Sequence, residues 1–330
     1  MQRSALTRSH GLARLVALVV STGAIVACSN SSSGGGGGGG AGDPVSIGNF
    51  TPAANAQSVS SPFDATPDLT GANIYFTAIG PNGAGVFKVA ASGGPVTEIF
   101  SGTPFVSPMS IALSSDGTEL FVSDIGASTA TTDGGCIFSL PVGGGAPSDI
   151  AAADGMTPRG IEVAGDFLYF TGTASDQSVG VFKMPIGGGP VTTLASGKPF
   201  ENPSGIAINA AGDVFVVDAA SATSSRAAIY KLPADGSDAS VFLSNIAVGY
   251  PAGIVFNQAE SLLLVSALDT TTGTDAVLAV DVGSASVTKI TSGIDKFVEP
   301  AGLHRAHGAD VFAWADSAAN NFGTVYVISH

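Results

Sequence analysis

The stretch NPSGIAINAAGDVFVVDA, Asn202 to Ala219, recurs at five other places in the chain. Related segments begin at Ser107, Thr157, Tyr250 and Glu299, and a worn copy begins at Ser61. Their marker prolines are Pro62, Pro108, Pro158, Pro203, Pro251 and Pro300, spaced 46, 50, 45, 48 and 49 residues apart. A strand-rich period of roughly 20–50 residues restricts a chain to stacked or radially repeated units, none of which buries its apolar faces alone.

Each unit has the same internal order. An apolar run follows the proline (Gly205 to Ile208), and a Gly/Asp turn leads to a second run (Val214 to Val217). A variable polar loop precedes a third run (Ala228 to Leu232), and a Gly-rich turn leads to a fourth (Ser240 to Leu243). The runs are short, rich in Val, Ile, Phe and Thr, and broken by Gly or Pro, which excludes a helical reading. Turns such as Ala91–Pro95, Val142–Pro147 and Ile186–Pro190 carry glycine pairs, which supply the positive φ of tight hairpins. Four antiparallel strands in each of six units predict an all-β, six-bladed β-propeller. The last unit reaches only its third strand, Tyr326–Ser329. The alternating segment from about Val45 to Phe50 is expected to supply the fourth and close the ring, removing an exposed edge.

The N-terminus reads differently. Arg3, Arg8 and Arg14 precede an apolar run from Leu15 to Ala27, the order of a secretory signal. The run ends in Ile25-Val26-Ala27-Cys28, which resembles a bacterial lipobox. That resemblance implies cleavage before Cys28, lipidation of its thiol and a membrane anchor, with Ser29 implying the outer membrane. The expected organisation is a signal over 1–27, a Ser/Gly-rich tether over 28–44 containing seven consecutive glycines, and the propeller over 45–330. Such a tether of roughly 15 residues reaches about 20 Å. After position 30 no apolar run is long enough to span a bilayer.

Cleavage would leave nine basic residues against 26 acidic ones, a formal charge of −17. So acidic a surface excludes nucleic acid as a partner. With Cys28 acylated, Cys136 stands alone and is read as a small buried residue on a strand.

The pattern Pro-x-Gly-Ile-x-[IVF]-x-x-x-Gly-[DN]-[VI]-[FY]-[VF]-x-[DA] is similar to NHL repeats and to six-bladed propellers of the SMP-30/gluconolactonase group. The likeness runs from Pro62 to the C-terminus. In the lactonases it implies a divalent metal at the channel mouth, with some ligands at the x of Pro-x-Gly. Here those positions hold Phe63, Met109, Arg159, Ser204, Ala252 and Ala301, too few oxygens for a hard cation. That metal site is therefore not carried over, and no cofactor is expected from it. Calcium or another divalent cation has one alternative set. Asp124, Asp218 and Asp316 end the second strands of units two, four and six. They either gather a cationic ligand or cap their own loops, as Asp does at strand ends.

Arg159 is the lone cation among the x positions, a candidate either to neutralise those carboxylates or to receive an acidic ligand. His304 is the candidate base by resemblance to virginiamycin-lyase-like propellers, although no Glu follows it closely. His307, three residues on, should face the other way. The long Ser/Thr/Ala-rich loops after the second strands suit a protein or glycan partner. The sequence thus points first to a membrane-anchored, non-catalytic binding or scaffold module. The alternative is a hydrolase or lyase with its site at the channel mouth around Arg159, the three aspartates and His304.

Overall fold

A computed structural model describes residues 49–55, 59–130, 132–219, 226–290 and 300–329. Cys28, the tether and Val45–Gly48 lie outside them, as do 220–225 of one long loop. The described chain forms six four-stranded antiparallel sheets, each a blade. The innermost strands are Ser60–Pro67, Pro108–Leu113, Ile161–Ala164, Pro203–Ile208, Ile254–Phe256 and Pro300–Arg305. Five blades run outward in chain order. The sixth takes its outermost strand from the N-terminal side. Asn49–Asn55 pairs antiparallel with Thr324–Ser329, from Asn49 opposite Ser329 to Asn55 opposite Thr324. The closing strand therefore extends to Asn55, beyond the Val45–Phe50 expected from alternation. Ala53 and Ala54, both buried, anchor it against blades one and six.

There is no single core. Six apolar clusters among the described residues each fill one seam between neighbouring blades. Strand alternation explains this. In Glu119–Asp124, Leu120 and Val122 enter the seam with blade one, while Phe121 enters the seam with blade three. In Val214–Asp218, Phe215 and Val217 face blade five and Val214 and Val216 face blade three. Second strands covered on both sides must be apolar at successive positions, hence the uninterrupted Leu-Phe-Val and Val-Phe-Val-Val runs.

The innermost strands of neighbouring blades converge so closely that their backbones touch around the axis. A Cβ on Gly160 would overlap the Ser204 carbonyl, and one on Gly205 the Ala252 carbonyl. The glycine of Pro-x-Gly is thus a packing requirement of the channel.

Candidate functional site

The axial cavity is lined by that glycine position of every blade, namely Asp64, Ser110, Gly160, Gly205, Gly253 and Gly302, together with His304 and its neighbours. Blades one and two depart from glycine, and their side chains plug the channel. Asp64 Oδ2 accepts from Ser110 Oγ at 2.5 Å and from Ile111 N at 3.0 Å, and Oδ1 accepts from Ala65 N at 2.8 Å. His304, two residues beyond Gly302, meets Asp64 Oδ2 through Nε2 at 3.0 Å and Glu162 Oε2 through Nδ1 at 3.1 Å. Four blades meet in this network. Burial alone would favour a neutral imidazole, but the charge and hydrogen bond of Asp64, then those of Glu162, prevail and raise His304 to about 10. With a carboxylate oxygen at each ring nitrogen, the geometry favours an imidazolium that donates from both. The partner missing from the local sequence is Glu162, 142 positions away. The remaining space is about 10 Å³, room for about one water. His307 sits half-buried in the following turn.

The structure does not bring the other sequence candidates together with His304. Asp124 accepts four backbone N–H groups, from Val106 (2.7 Å) and from Ser107, Gly126 and Ala127 (2.9 Å each). Asp218 accepts from Glu201 N at 2.7 Å and Asn202 N at 3.0 Å. Asp316 Oδ1 accepts from Ala318 N at 3.1 Å and Ala319 N at 2.8 Å. Each carboxylate, fully buried, holds the loops of its own blade. Asp124→Ala is accordingly expected to strand four backbone donors, that of Ala127 in a buried position, and to destabilise by about 1–3 kcal/mol, read as the change in urea midpoint. A loss under ~0.5 kcal/mol would mean that the loops hold themselves.

Arg159 lies where the second strands end. Nη2 approaches Thr173 Oγ1 at 3.5 Å, the Tyr250 phenol lies beside the guanidinium, and Nη1 is buried without a hydrogen-bond partner.

A second cluster escaped the sequence reading because its members are distant in pattern. Cys136, opposite Asp124 in the register of blade two, is fully buried. Its sulfur and one carboxylate oxygen each of Asp149 and Asp154 lie within 4.8 Å of one another. Asp149 comes from the outermost strand of blade two and Asp154 from the connection to blade three. Burial, then the charges of Asp154 and Asp149, push the Cys136 thiol up to about 12. Burial and Asp149 likewise raise Asp154 above the usual carboxylate range. Asp154 Oδ1 is buried and has no hydrogen-bond partner. Three groups whose ligand atoms converge on one point are capable of coordinating a cation. Asp149 also borders a cleft of about 480 Å³ between blades two and three, lined by Ser139, Ser148 and Gly187–Gly189.

No family model and no curated protein matches this sequence. Solved structures do. A gluconolactonase from Xanthomonas campestris superposes with a TM-score of 0.58 at 15% identity, over 86% of this chain and 97% of that one. A putative TolB from Agrobacterium tumefaciens gives 0.58 at 14%, over 82% and 91%. A chain of a nidogen/laminin complex gives 0.58 at 18%, over 74% and 84%. At these identities the likeness establishes the fold alone, that of a six-bladed propeller. No helix of the described residues is long and apolar enough to cross a membrane.

Proposed function

We propose that the protein is a metal-assisted hydrolase of the cell envelope, with its cation held by Cys136, Asp149 and Asp154. The observation that carries this reading is the convergence of the three ligand atoms within 4.8 Å. The buried, unpartnered oxygen of Asp154 and the adjoining cleft support it. A thiolate with two carboxylates suits zinc or cobalt better than calcium. Ligand bonds of about 2.0–2.3 Å require the cluster to contract, and Asp149, the exposed member, is the arm free to move. When bound, such a cation supplies an activated water. Cys136, Asp149 and Asp154 would hold that cation, and the cleft offers hydroxyls and open glycine backbone to a neutral, polyhydroxylated substrate of the sugar-lactone class. Its volume falls within the range of about 300–1,000 Å³ usual for small-ligand sites. The gluconolactonase likeness supports this choice through fold alone.

The anchor belongs to the same proposal. Lipidation at Cys28 would tether the domain, with the outer membrane as the address suggested by Ser29. A second reading, a protein- or glycan-binding surface on the long-loop face, is supported by the propeller of the nidogen/laminin complex.

Stripping the protein with EDTA and adding zinc, cobalt or calcium tests the metal. Because the thiol must lose its proton, binding should tighten as pH rises. Zinc at a hundredfold over its Kd should stabilise by about 2.7 kcal/mol, visible as a higher melting temperature, and cobalt should add a thiolate charge-transfer band. Both should vanish in Cys136→Ala, and lactone hydrolysis should follow the metal. An identical zinc response in Cys136→Ala would end this assignment.

A further inference from the structure

Arg159 poses a problem that the rest of the molecule does not solve. The equivalent positions in the other five blades hold Phe63, Met109, Ser204, Ala252 and Ala301, all uncharged. Its guanidinium is always charged and offers five N–H donors. Nη1 is nevertheless buried without a partner, the contact of Nη2 with Thr173 Oγ1 is long at 3.5 Å, and the one other neighbour is the Tyr250 phenol, a neutral group whose oxygen accepts from the guanidinium. Among the described residues no carboxylate forms an ion pair with it. Asp124 and Asp218 accept backbone N–H groups of their own loops instead. An uncompensated charge removed from water costs free energy unless something pairs with it.

We propose that the loop face carries a carboxylate-binding site built on Arg159, with the Tyr250 phenol as second donor. A guanidinium presents two parallel N–H bonds to a carboxylate. Burial raises the titration range of Tyr250, so its phenol keeps its proton to donate. The half-buried Tyr250 ring would be the apolar surface met by an aromatic or aliphatic body behind the carboxylate. The site shares no residue with the Cys136 cluster and needs no metal.

Benzoate is the probe, and benzamide is its neutral match. Titrated into the full protein by calorimetry, benzoate should bind saturably at one site, at least tenfold more tightly than benzamide, and more weakly as salt rises. Arg159→Gln should weaken benzoate at least tenfold while leaving the ligand-free melting temperature unchanged or higher, because an unpaired buried cation has gone. Arg159→Lys should recover only part of the affinity, since an ammonium lacks the planar fork. Equal binding of benzoate by Arg159→Gln, equal binding of benzamide, or no saturable binding would overturn the proposal. So would displacement of benzoate by lower concentrations of inorganic phosphate, which would make the ligand a phosphate instead.

Discussion

Replacing His304 with alanine is expected to cost about 3–5 kcal/mol, because it leaves Asp64 and Glu162 facing one another without the cation between them. The pH dependence of stability should identify the imidazolium itself. His304 is raised from 6.5 to about 10 in the folded protein. The folded state therefore holds a proton that the unfolded state releases above about pH 6.5. The stabilisation is fully present below that pH and disappears progressively as pH rises toward 10. Its size is a few kcal/mol at most. Urea melts of the wild type and of His304→Asn at pH 6, 8 and 10 provide the measurement. The difference between the two proteins should shrink with rising pH, whereas lysine and tyrosine titration affects both alike. A constant difference across that range would mean that His304 is held neutral and that the axis is stabilised by hydrogen bonds alone.

Gly302→Ala should be at least as damaging, by about 3 kcal/mol or more. The new methyl group would overlap the Asp64 carboxylate. That carboxylate has nowhere to go, since Ser110, Ile111 N, Ala65 N and His304 all hold it. The second substitution makes the cause testable. Asp64→Gly returns blade one to the glycine found in blades three to six, and it removes the obstacle. The double variant should be less destabilised than the sum of the single variants by about 1–3 kcal/mol. Simple additivity would show that Gly302 is required for some reason other than room for Asp64.

These two positions also show where reading by pattern stopped. Comparing the six Pro-x-Gly copies directs attention to the variable x, because that is where the resembling lactonases carry ligands. The informative departures were one residue later, at Asp64 and Ser110, where glycine itself is replaced. The signal was present, but its meaning depended on how nearly the inner strands touch. Glu162 and His304 could not be paired from sequence, since they lie in blades three and six and meet only because the ring closes. The same holds for Cys136, Asp149 and Asp154. Each looks ordinary in its own segment, and the turn out of blade two folds them onto one point. For Asp124, Asp218 and Asp316 the repeat left open a shared cationic ligand or a cap on each loop, and each accepts N–H groups of its own loops.

The repeat by itself determined the blade number, the four-strand unit, the glycine turns and the closure by an N-terminal strand. All follow from local periodicity and from the need of each sheet to cover both faces. The tertiary structure decided which polar side chains meet. Contacts across the axis and between blades join residues tens to hundreds of positions apart, and small offsets between strands set them. It also decided that the channel is filled, because the distance between facing backbones is fixed only when all six blades pack together.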